Sequence, residues 1–151
     1  MRFKGKCVVV TGASSGMGRK IALDFAKEGA TVIAVARRLE RLEEIAKEAE
    51  SFAGKILPYQ GDISLEEVNN GMIDYAVKEC GKLDVLVNNA GIMDEFTPIG
   101  ELTDELYNKV MAVNLNGPIY AMRKAVQVML EQETKGNIVN IASIGGVCGA
   151  R

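Results

Sequence analysis

The chain has 151 residues, 48% hydrophobic and 25% charged, with a formal net charge of −2. That suffices for one domain with a substantial core, residues 1–151, and is too short for a second. The small net charge gives no attraction to nucleic acid or anionic lipid, and no apolar run is long enough to span a membrane.

The sequence contains no histidine. Imidazole is thereby removed as a general base, as a member of a Ser-His-Asp set and as a metal ligand. Cys7, Cys80 and Cys148 are scattered without metal-ligand spacing, which predicts buried thiols, no metal site and a reducing, cytoplasmic setting. No secretory signal is visible at the N-terminus.

Cys7-Val8-Val9-Val10 reads as a short buried strand. After it, Ile21, Ala22, Phe25 and Ala26 recur at helical spacing, and Gly29 stands where that helix stops. Residues 31–36 form a second β-rich run. Leu39, Leu42, Ile45, Ala46 and Ala49 then line one face of a charged helix. Residues 55–60 predict a third strand, and Ser64-Leu65-Glu66-Glu67 reads as a capping box for a helix ending near Cys80-Gly81. Residues 83–88 form a fourth, nearly continuous apolar strand. Thr103 is suited to cap the next helix, with Asp104 and Glu105 at its positive end. Asn116-Gly117-Pro118 predicts a break or kink before a further helical stretch to about residue 133. Residues 137–142 are the fifth strand. Alternating strands and helices with apolar strands imply an α/β, doubly wound, Rossmann-like parallel sheet covered on both faces.

Between the first strand and first helix lies Thr11-Gly12-Ala13-Ser14-Ser15-Gly16-Met17-Gly18. Glycine at three points permits a tight turn, close backbone approach to a ligand and helix-on-strand packing. The helix N-terminus offers unpaired N–H groups to a diphosphate. An acidic residue often ends the second strand of such folds to hold the ribose 2′-hydroxyl, but here the sequence is Val35-Ala36-Arg37-Arg38. Guanidinium groups match phosphate with paired donors, which favours NADP over NAD. The alternative is that Arg37 and Arg38 are solvated residues at a helix start.

At this point the chain resembles the short-chain dehydrogenase/reductases. The resemblance rests on Thr11-Gly-x-x-x-Gly16-x-Gly18, Asn88-Asn89-Ala90-Gly91, Val113-Asn114 and Asn140-Ile141-Ala142-Ser143, in the family's order over essentially the whole sequence. It implies that Gly12, Ser14, Ser15, Gly16 and Met17 cradle phosphates beside Gly18, and that Arg37 meets the 2′-phosphate. It implies that Asp62 and Ile63 take the adenine edge and that Asn89, Ala90 and Gly91 lie along the adenosine ribose. Ser143 would donate to the substrate oxygen, and Asn114 would bend its helix and hold a proton-relaying water. Read without the resemblance, Asp62 favours the following helix, Asn88 and Asn89 satisfy backbone at a strand end, and Ser143 is a strand-end serine.

The resemblance also implies an enzyme interconverting a carbonyl and a secondary alcohol on a small-molecule substrate, homo-oligomeric when full length. Its proton donor is the tyrosine of a Tyr-x-x-x-Lys run after the serine, and the lysine binds the nicotinamide ribose and lowers the tyrosine pKa. Tyr59, Tyr75, Tyr107 and Tyr120 lie elsewhere in the pattern. The expectation is therefore the N-terminal part of a longer enzyme, inactive alone and cut after the fifth strand, which becomes an open edge. A non-catalytic NADP-binding module or natural short form is the alternative. Residues 93–98 and 147–150 are expected to border the pocket.

Overall fold

The computed structural model describes residues 1–94, 96–146 and 148. Strands β1 (Cys7–Thr11), β2 (Thr31–Ala36), β3 (Lys55–Gln60), β4 (Val85–Asn88) and β5 (Asn137–Asn140) form one sheet in the order β3-β2-β1-β4-β5. Every neighbouring pair is parallel. Between the strands run helices α1 (Gly16–Lys27), α2 (Leu39–Glu48), α3 (Glu66–Cys80), α4 (Asp104–Met111) and α5 (Gly117–Glu131). The fold is the expected doubly wound α/β sheet.

Alternation along each strand divides the core in two. Val8, Val10, Val32 and Ala34 face one layer with Ala22, Leu23 and Ala26 of α1 and Leu42 and Ile45 of α2. Cys7, Val9, Ile33 and Val35 face the other, with Met72, Ile73 and Ala76 of α3 and Ala121 and Ala125 of α5. Period-two alternation with both sets apolar is what a parallel strand covered on both faces requires. Asp84 fastens the N-terminal edge of this sheet. Its carboxylate accepts from Cys7 N–H at 2.9 Å and Lys6 Nζ at 2.8 Å, while its carbonyl accepts from Asn137 N–H at 2.8 Å.

Several local expectations need correction. The fourth strand starts at Val85, because the Gln132 side chain takes both the N–H and the carbonyl of Leu83. Ser64 caps nothing: its N–H donates to Asp62 Oδ1 at 2.9 Å, so the turn runs on and Leu65 occupies the capping position of α3. Nor does the chain break at Asn116-Gly117-Pro118. A π-helical turn over Ala112–Asn116 joins α4 to α5, with Gly117 N–H donating five residues back to Ala112. Pro118, which has no N–H to donate, follows directly on this widened turn. Thr103 does cap α4, accepting from Leu106 N–H at 3.2 Å. Of the cysteines only Cys7 is buried; Cys80 is half-buried and Cys148 exposed. β5 pairs with β4 alone among the described residues, and Val139 on it is exposed.

Candidate nucleotide-binding site

Because all five strands are parallel, β1, β2 and β4 end at the same edge of the sheet. The strand order reverses there, since the chain runs outward from β1 to β2 and β3 on one side and then crosses back to β4 on the other side of β1. Ligand crevices form outside the carboxyl ends of strands at such a switch point. A cavity of about 330 Å³ occupies this place, walled by the loops after β1, β2, β3 and β4.

Its floor is the glycine loop. Gly12 has φ +68°, and a Cβ there would stand 2.8 Å from Ala90 Cα. A Cβ on Gly18 would meet the Gly12 carbonyl carbon at 2.8 Å, so two loops and a helix approach at backbone distance. Ser14, Ser15 and Met17 line the cavity with them, whereas Gly16 turns the chain at its back. Ser15 precedes α1 without a side-chain capping bond, and the first turn of α1 carries no acidic residue. Its N-terminal amides are therefore left for an anion.

Thr11 holds the opposite wall. Its Oγ1 accepts from Asn89 N–H and Ala90 N–H, each at 3.1 Å, and Asn89 Nδ2 donates to Thr11 O at 3.0 Å. Asn89 thus does satisfy strand-end backbone while Asn89, Ala90 and Gly91 line the crevice. Asn88 lies behind, donating to Asn140 Oδ1 on β5 at 2.9 Å.

Charge sits on the rim. Arg37, Arg38 and Asp62 are the charged residues lining the cavity. Both arginines are exposed, and neither joins an ion pair among the described residues. The Gln60 side chain donates to Arg37 O at 3.0 Å and steadies the start of that loop. Asp62 directs Oδ1 to Ser64 N–H, leaving its second oxygen, and Ile63 forms the adjoining wall.

Asn114 and Ser143 stand apart from this lining. Asn114 lies in the π-helical turn and exchanges two hydrogen bonds with Ile92, donating to its carbonyl at 2.7 Å and accepting from its N–H at 2.8 Å. The helix is thus distorted at Asn114 itself. Ile92 and Val113 reach the cavity from either side of this contact. Ser143 is exposed beyond β5, with Oγ accepting from Gly145 N–H at 3.2 Å. Glu95, Val147, Gly149, Ala150 and Arg151 lie outside the described residues. Tyr120 is followed at four residues by Lys124, the spacing of a Tyr-x-x-x-Lys pair. That lysine is ion-paired to Asp74 of α3 at 2.8 Å, and no tyrosine lines the cavity.

The lining that the motifs did not contain is Gly61 and Ile92, while Val35, Ala36 and Val113 stood in them without a role. Their signal was adjacency to a strand end. Glycine cradle, open helix N-terminus and rim arginines together fit a phosphate-bearing dinucleotide.

A glycine-lined crevice at the switch point of a doubly wound parallel sheet defines a Rossmann-like fold. Residues 6–151 match the family described as short chain dehydrogenase, and the chain belongs to that family. It is 38% identical over 147 residues to 3beta-hydroxysteroid dehydrogenase 2 of Eggerthella lenta, covering 97% of this chain and 56% of that protein. The crystal structure of NAD+-bound xylitol dehydrogenase superposes with a TM-score of 0.92 at 31% identity, covering 99% of this chain and 57% of that one. A metagenomic short-chain oxidoreductase in complex with NADP gives 0.90 at 31% identity, covering 97% of this chain and 66% of that one. The chain thus spans little more than half the length of the curated relative.

Proposed function

We propose that the protein is an NADP-dependent oxidoreductase interconverting a carbonyl and a secondary alcohol on a small molecule. The observation that carries the cofactor choice is the rim of β2: two arginines without ion-pair partners among the described residues, and no carboxylate at the strand end to hold a ribose 2′-hydroxyl. A relative in complex with NADP and one bound to NAD+ share the fold, so the distinction rests on these side chains.

In this reading the amides from Gly12 to Gly18 hold the diphosphate and Arg37, flanked by Arg38, pairs with the 2′-phosphate. The free oxygen of Asp62 accepts from the adenine amine beside Ile63, and Asn89, Ala90 and Gly91 line the ribose. The bound nucleotide supplies or accepts the hydride. Ser143 donates a hydrogen bond to the substrate oxygen as charge develops there, and Asn114 holds the distorted turn that orders a proton-relaying water. Residues 144–151 hold no tyrosine, which supports the reading that residues 1–151 by themselves bind nucleotide without turning over substrate.

Arg37→Asp in the full-length protein tests the cofactor assignment. Loss of a charged hydrogen-bond pair is worth about 1.5–3 kcal/mol, so NADPH binding is expected to weaken about 10- to 100-fold with NADH little changed. Equal weakening of both, measured by fluorescence titration, would remove Arg37 from the 2′-phosphate site.

A further inference from the structure

Behind the crevice wall, and not lining it, Asn69 of α3 is fully buried. Its Nδ2 donates to two loop carbonyls, Ile63 O at 2.7 Å and Leu65 O at 2.8 Å. Its Oδ1 has no protein partner among the described residues. An unpaired buried acceptor is a standing cost to the folded state. Turning the amide over would not relieve it, because Oδ1 would then face the Ile63 and Leu65 carbonyl oxygens. Valine would fill the same space without that cost. Against that cost stands what Nδ2 holds.

That object is the wall of the site. Ile63 lines the crevice with Asp62 beside it. On its far side the Ile63 carbonyl oxygen lies 2.7 Å from where a Cβ on Gly117 would stand, and Ile63 Cδ1 lies at 2.9 Å. The carbonyl is gripped between one amide of α3 and the bare backbone at the start of α5. Leu65 N–H donates to Asp62 O at 3.1 Å and Ser64 N–H to Asp62 Oδ1 at 2.9 Å, closing residues 62–65 into a turn. Asn69 ties that turn to α3.

We infer that Asn69 is a positioning residue, fixing Ile63 and Asp62 at the adenine end of the crevice; this rests on reading the crevice as a dinucleotide site. It touches no ligand itself. Its contribution falls on the part of the ligand that NADPH, NADH and adenosine monophosphate share, and is blind to the 2′-phosphate.

Asn69→Val in the full-length protein removes the donor and the orphaned acceptor at nearly constant volume. The melting temperature is expected to equal or exceed that of the wild type. Affinities for NADPH, NADH and 5′-AMP are expected to fall by one common factor, about three- to tenfold, with the NADPH-to-NADH ratio unchanged. Gly117→Ala, pressing on the same carbonyl from the other side, is expected to give the same common loss. An Asn69→Val protein that binds 5′-AMP as tightly as the wild type, loses NADPH selectively, or fails to fold overturns the assignment. Wild-type protein that binds none of the three ligands overturns the dinucleotide reading, and the assignment with it.

Discussion

Replacing Thr11 by valine keeps the volume of a fully enclosed side chain and removes one oxygen. Thr11 is 1% exposed, and that oxygen accepts from two consecutive amides, Asn89 and Ala90, at 3.1 Å each. Its own proton reaches Val87 O at 3.4 Å, a long bond that contributes little. The substitution therefore strands two N–H groups. A fully buried stranded amide costs about 1–3 kcal/mol. Both residues are half-buried, so the lower part of that range applies and the pair amounts to about 2–3 kcal/mol. For a chain of this length each kcal/mol moves the melting temperature by about 2–4 °C, which gives a fall of about 4–12 °C. Thermal and urea denaturation of the full-length protein read this directly. Thr11→Ser keeps the acceptor and loses one methyl group, for a cost of about 1 kcal/mol. A valine variant within about 0.5 kcal/mol of the wild type, or a serine variant as unstable as the valine one, would refute the reasoning.

Asp84 should set part of the acid stability. Burial pushes its carboxyl up, but the bonds from Lys6, Cys7 N–H and Lys82 outweigh burial and hold it below the ordinary 3.8. A lowered carboxyl stabilises at neutral pH and loses that contribution as pH falls through its own value. The advantage of wild type over Asp84→Asn, about 2 kcal/mol at pH 7, should persist above pH 3.8 and shrink below it, as read from urea midpoints. An advantage that stays constant into acid would contradict the assignment. Burial, the Cys80 thiol and the Asp84 charge all push the Cys7 thiol up, whereas Cys148 is exposed. Alkylation followed by peptide mapping should label Cys148 first and Cys7 at least about 100-fold more slowly; similar rates would place Cys7 outside the core. The arginine and asparagine substitutions described above complete the set.

Most of the architecture was readable from the order of residues. Runs such as Cys7-Val8-Val9-Val10 and residues 32–36 are apolar without interruption, as a strand covered on both faces requires. The glycine loop, Arg37, Arg38 and Asp62 were legible because their chemistry is local: each follows a strand end by one or two residues. Thr103 capped its helix as expected, since capping needs only three residues of chain. Ser64 failed by the same logic, because Asp62 two residues earlier and Asn69 five residues later compete for the same turn.

The sequence by itself determined the alternation of elements, the family and the side chains that follow each strand end. These depend on period, turn chemistry and neighbours along the chain. Only the tertiary structure decided that Thr11 supports Asn89 and Ala90, and that Asn114 locks to Ile92 through a π-helical turn. It also decided that Lys124 is spent on Asp74 and that Asn69 holds the Ile63 carbonyl. Each of these joins residues separated by at least six positions and most by more than twenty. A hydrogen bond between such residues exists only once the parallel sheet has brought the loops to one edge.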